Sequence, residues 1–122
     1  MKRTLSALVA TAVAVAAFFV VFTPFAGAKT TRTTATTVHV QARDTLKFVL
    51  DKKKARHGKT IFKVKNTGVT RHDFWIAGKK TKLLGHNQTA TLTVTLKKGK
   101  HAYKCTVPGH AAAGMKGVFR ST

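Results

Sequence analysis

The sequence predicts an all-β fold, a Greek-key antiparallel β-sandwich of roughly seven to eight strands, and three observations carry that prediction. Apolar and polar residues alternate over short stretches, and turn-forming compositions recur about every ten residues. No segment repeats with the helical period.

Along the chain, 1–28 comes first. Lys2 and Arg3 precede an almost unbroken apolar run from Leu5 to Phe22, and Ala26, Gly27 and Ala28 supply the small residues of a cleavage site. This reads as a secretory signal. Its length lies at the lower edge of a bilayer-spanning helix, so an uncleaved membrane tether is the rival reading. Both place the rest of the chain outside the cytoplasm, in a periplasmic, extracellular or cell-surface setting. Residues 29–37 are Thr-rich and lack large apolar side chains, the composition of a flexible lead-in. One domain is expected over 38–122.

Within it, Leu46, Phe48 and Leu50, then Phe62 and Val64, recur with the period of half-buried strands. Turns are expected at 52–59, 66–68, 78–79, 85–87 and 98–100, where Gly, Asn and Lys concentrate. The segment 71–77 reads as a strand with His72, Phe74 and Ile76 on one face. Thr89–Leu96 is the clearest strand: Ala90, Leu92, Val94 and Leu96 face one way and threonines the other. Phe48, Phe62, Phe74 and Phe119 are the expected aromatic core.

Charge bounds the partners. Lys and Arg number 23 against three acidic residues, Asp44, Asp51 and Asp73, for a formal charge of +20. An anionic partner follows: an acidic protein, or an anionic cell-surface polymer or lipid. An exported chain without a nucleic-acid motif excludes specific nucleic-acid recognition.

Cysteines of exported proteins usually pair, yet Cys105 is the single one here. It belongs to the segment Tyr103-Lys104-Cys105-Thr106-Val107-Pro108-Gly109-His110-Ala111-Ala112-Ala113-Gly114-Met115. Pro108 and Gly109 break a helix across the first gap, so the segment reads as a loop between strands. Such a loop can turn a thiolate, an imidazole and a thioether toward one point. That donor set suits copper, and the common electron-transfer copper site adds a second histidine. His72, after the 66–68 turn, is the best supplier. His39, His57 and His86 lie in an early strand, a basic turn and a Gly-Asn turn, and read as surface residues. His101 reads as a partly buried structural histidine beneath the loop.

Asn66-Thr67-Gly68, His72 ahead of an apolar segment, and Tyr-x-Cys-x-x-Pro-Gly-His-x-x-x-Gly-Met together resemble the cupredoxins, the family of plastocyanin, azurin and auracyanin. The spacings around His110 resemble the auracyanin-like bacterial members. The resemblance implies one type 1 (blue) copper ion, with His72, Cys105 and His110 as strong ligands and Met115 as a weak axial one. It implies the cupredoxin sandwich and a monomer. It also implies a carrier that shuttles single electrons, with His110 at the surface among apolar residues as the electron's entry and exit point. One departure is Asp73, where relatives commonly have Asn. A general base, a partnered nucleophile and an open metal position are all missing, so an enzyme is not expected. The alternatives are a copper scavenger or delivery protein using the same ligands, and a cationic polyanion-binding module.

Overall fold

The computed structural model describes residues 11–28, 32 and 34–122. It divides into two units, Met1–Thr30 and Thr31–Thr122. In the first, residues 11–28 are exposed and without regular secondary structure. No helix among the described residues is long and apolar enough to cross a membrane. The first ten residues of the expected export segment lie outside the described residues, as do Lys29, Thr30, Thr31 and Thr33 of the Thr-rich lead-in.

The second unit is all β. Its strands are β1 (Thr36–Arg43), β2 (Lys47–Leu50), β3 (Lys54–Ala55), β4 (Gly58–Asn66), β5 (Trp75–Ile76), β6 (Lys79–Lys80), β7 (Thr89–Leu96), β8 (Gly99–Lys104) and β9 (Lys116–Ser121). One sheet has the order β2-β1-β4-β7, the other β3-β9-β8-β5-β6. Burial alternates residue by residue along β7 and β9, as a sheet with one face on a core and one in solvent requires. The strand read from Thr89 to Leu96 has those bounds.

Several features differ from the sequence reading, the first being nine strands among the described residues where seven to eight are expected. The sheets are mixed: β1 runs parallel to β4, and β3 parallel to β9. Side-chain alternation has the same period in both pairing modes, so it carries no signal for strand direction. A short strand, β3, sits inside the turn expected at 52–59, and β1 starts at Thr36, inside the expected lead-in. The strand expected over 71–77 is reduced to β5 and an isolated bridge between His72 and Leu84. The cause is local: Phe74 donates its N–H to Thr81 Oγ1 at 3.1 Å instead of to a neighbouring strand. Asp73 also turns inward, so three successive side chains, His72, Asp73 and Phe74, are buried.

Between the sheets Phe62, Phe74 and Phe119 are fully buried, and Phe48 is half-buried against them. Phe74 holds the centre. Its ring centroid lies 5.2 Å from Phe48, 5.3 Å from Phe62 and 5.5 Å from Tyr103. Such contacts add about 0.5–1.5 kcal/mol per pair to the burial of each ring. Phe48 touches both this core and a smaller apolar cluster of Ala42, Cys105 and Met115 at one end of the sandwich. The ring that fixes the core therefore sits two residues from His72, and the core runs without a break into the loop that holds Cys105.

Candidate metal centre

His72 is held from its backbone outward. Its N–H and C=O pair with Leu84 at 3.1 and 2.7 Å. Buried Asn66 binds the adjoining segments: its amide donates to Thr70 O at 2.7 Å and Leu84 O at 2.8 Å, and its Oδ1 accepts from Gly68 N at 2.9 Å. The Asn-Thr-Gly turn thus fixes the chain that delivers His72.

Asp44, in the turn between β1 and β2, completes this end. Its carboxylate accepts the N–H groups of Val69 at 2.8 Å and Thr70 at 3.0 Å, which hold its carboxyl below the usual range. Its Oδ1 lies 3.5 Å from His72 Nε2, an atom buried without a hydrogen-bond partner of normal length. A Cβ at Gly68 would collide with this carboxylate, so glycine is needed for the approach. The sequence reading missed Asp44, which stands 28 residues before His72. The available signal was its rarity, as one of three acidic residues in a strongly basic chain.

The other donors come from the loop between β8 and β9. Cys105 directly follows β8 and Met115 directly precedes β9, and Cys105 N–H donates to Met115 O at 3.0 Å. Gly109 takes φ 81°, a left-handed conformation open to glycine, and turns the chain so that His110 comes back over Cys105. Met115 N–H closes the loop on His110 O at 3.0 Å.

The result is convergent. His72 Nδ1 and His110 Nδ1 are 3.2 Å apart, and His110 Nδ1 is 3.6 Å from Cys105 Sγ. The donor atoms of these three residues all lie within 4.8 Å of one another. Ligand bonds of about 2.0–2.3 Å around a shared ion give separations of this order. Met115 is fully buried beside Cys105 in the small apolar cluster. All four sequence-predicted site residues are therefore brought to one end of the sandwich. The other histidines are engaged elsewhere: His57 with Thr122 O, His86 with Gly68 O and His101 with Lys97 O, while His39 is exposed on β1. His101 is half-buried.

Electrostatics suit a cation here. Burial lowers the pKa of His72, partly opposed by Asp44, and so favours the neutral imidazole that metals bind. Burial also pushes the Cys105 thiol up, so its thiolate needs a cation beside it. Asp73 joins the two ligand-bearing segments, with its carboxylate accepting Thr106 N–H at 2.6 Å and the Thr106 hydroxyl. The fit to copper rests on this donor set: two imidazoles, a thiolate and a thioether in a largely dry site. His110 alone of the four is half-buried, with exposed Pro108, Ala112 and Ala113 in its own loop.

Comparison with known proteins gives the same fold and, through a family model, copper binding. No curated protein matches the chain in sequence. Among solved structures, dithionite-reduced auracyanin from Roseiflexus castenholzii is similar, with TM-score 0.62 and 25% identity over 71% of this chain and 97% of its own. Auracyanin A, a "blue" copper protein from Chloroflexus aurantiacus, gives TM-score 0.61 and 20% identity, covering 73% of this chain and 100% of its own. Auracyanin B gives 0.63 and 20%, covering 71% of this chain and 88% of its own. The model of the copper binding proteins of the plastocyanin/azurin family matches residues 31–120. With four soft and borderline donors at one end of a cupredoxin sandwich, the chain belongs to the plastocyanin/azurin family of copper binding proteins.

Proposed function

We propose that this protein is an exported single-electron carrier in which His72, Cys105 and His110 hold one copper ion and Met115 is its weak fourth ligand. The observation that carries the reading is the convergence of the three strong donors, all within 4.8 Å, with Met115 packed against Cys105. When bound, copper supplies a one-electron couple that thiolate and imidazole accommodate in both oxidation states. The chain's part is to keep the donors in place. Asn66 and Leu84 fix His72, Asp44 backs its ring as outer carboxylates orient metal-bound histidines, and Asp73 ties Thr106 to the His72 segment. Little then needs to move when the charge of the site changes. The buried donors also oppose release of the ion, which favours a carrier over a delivery protein.

His110, half-buried in a loop with exposed Pro108 and alanines, is the route for the electron. The surrounding charge of the chain steers an acidic redox protein to it. The test is stopped-flow electron exchange between the copper-loaded protein and an acidic single-electron protein over a range of salt concentrations. The rate constant is expected to fall as salt screens the attraction, since the Debye length shrinks from about 10 Å at 0.1 M to about 3 Å at 1 M. A rate indifferent to salt contradicts electrostatic steering, and fast loss of copper during turnover contradicts the carrier.

Asp73→Asn is expected to raise the reduction potential. The amide can keep the tie to Thr106, while the negative charge that favours Cu(II) is removed. Protein voltammetry of both forms checks this, and an unchanged or lower potential removes the electrostatic role of Asp73.

A further inference from the structure

The outer face of the β3-β9-β8-β5-β6 sheet is a dense array of cations. Cross-strand partners share a face, so the register defines it. One row runs Lys54, Arg120, Lys100 across β3, β9 and β8. A second runs Lys116, Lys104, Trp75, Lys80 across β9, β8, β5 and β6, with the Lys104 ammonium 5.3 Å from the Trp75 ring centroid. Between them lie only Val118 and Ala102. Asp44, Asp51 and Asp73, the only acidic residues in the chain, stand outside both rows. Among the described residues no ion pair involves any of the six cations.

This is more than a share of the net charge. On the outer face of the β2-β1-β4-β7 sheet, Lys59, Lys63 and Lys65 stand opposite Thr95, Thr91 and Thr89 of β7. On their other side Lys63 and Lys65 face His39 and Gln41 of β1. Arg43 and Lys47 are the one facing cation pair there. The two rows instead set like charges directly against each other, Arg120 against Lys54 and Lys100 in one and Lys116 against Lys104 in the other, which opposes sheet pairing. A bridging anion relieves that repulsion.

We propose that this face binds a linear polyanion of closely spaced phosphate groups. Cations on neighbouring strands of a row are about 5 Å apart, Lys104 and Lys80 are about 10 Å apart across Trp75, and the rows are about 14 Å apart along the strands. A compact anion spans one row, whereas a chain with an anion every few ångströms meets both. Five of the six cations are lysines, which bind phosphate as point charges and so respond to the density of charge along a polymer rather than to the geometry of one anion. A shallow hollow lined by Lys53, Lys54, Lys100, Val118 and Arg120 marks the row farther from the copper loop.

The test uses long-chain inorganic polyphosphate with the copper-loaded protein. Binding is expected to weaken linearly in log K against log salt. The double variant Lys100→Gln/Arg120→Gln is expected to lose about tenfold in affinity and about 1.5 in the salt slope, since each contact contributes roughly 0.7–0.9. Lys63→Gln/Lys65→Gln, with the same net charge, is expected to change affinity less than about twofold. Polyphosphate is also expected to raise the melting temperature more than orthophosphate at equal phosphate and ionic strength. Equal losses in the two double variants reduce the effect to net charge and overturn the site. So do equal thermal shifts from polyphosphate and orthophosphate, or tighter binding to phosphatidylglycerol vesicles than to the polymer. Circular dichroism and the visible band of each variant establish that it is folded and loaded.

Discussion

Replacing Cys105 by serine is expected to abolish the intense visible absorption of the Cu(II)-loaded protein while the β-sandwich remains. That band belongs to charge transfer from a thiolate, and Cys105 is the one cysteine in the chain. The serine hydroxyl is nearly the size of the thiol but remains protonated at neutral pH and is a poor copper donor. Cys105 packs in the small cluster with Ala42 and Met115, which meets the Phe62, Phe74 and Phe119 layer through Phe48, so the substitution deletes none of the main core's own side chains. An unpaired buried hydroxyl costs about 1–3 kcal/mol, which a domain of ordinary stability tolerates. Absorption after addition of Cu(II), read beside far-ultraviolet circular dichroism, makes the measurement. A band that survives in folded Cys105→Ser protein places the chromophore elsewhere and removes Cys105 from the ligand set.

The second large effect is on stability. Phe74→Ala is expected to cost about 3–5 kcal/mol, the range for deleting a buried aromatic ring, out of a total of about 5–15 kcal/mol. The melting temperature then falls by on the order of 20 °C. The reason is position: Phe74 is fully buried, contacts Phe48, Phe62 and Tyr103, and lies two residues from His72. The loss should therefore reach the metal end, with weaker copper retention in the same variant. Val118→Thr, at an exposed β9 position, stays within about 0.5 kcal/mol. Urea unfolding of the three proteins compares them, and a loss below about 1 kcal/mol for Phe74→Ala contradicts a core centred on this ring.

The strand pattern, the loop from Cys105 to Met115 and the choice of His72 were legible in the sequence for local reasons. Alternation reports which side of a strand is buried wherever the strand is paired, as Thr89–Leu96 shows. The loop donors are separated by only a few residues, and Pro108 with Gly109 dictates that the loop turns back. His72 was legible through its turn and its apolar neighbours Phe74 and Ile76. Asp73 is legible in the sequence as a charge, but its inward turn toward Thr106 is not, because alternation assigns it to the solvent face.

What only the tertiary structure decided depends on pairs far apart in the chain. The parallel pairing of β1 with β4 is one, and the approach of Asp44 to His72 across the space left by Gly68 is another. The cationic face belongs to the same class. The runs visible in the sequence, at 52–54 and 97–98, contribute only Lys54 to its two rows, while Lys104 and Lys116 become neighbours because the copper loop folds β9 back on β8. Periodicity and short-range spacing determine which face a residue takes and which loop donors can meet. Strand order and register determine which distant charges stand side by side, and those follow from the packing of the whole sandwich.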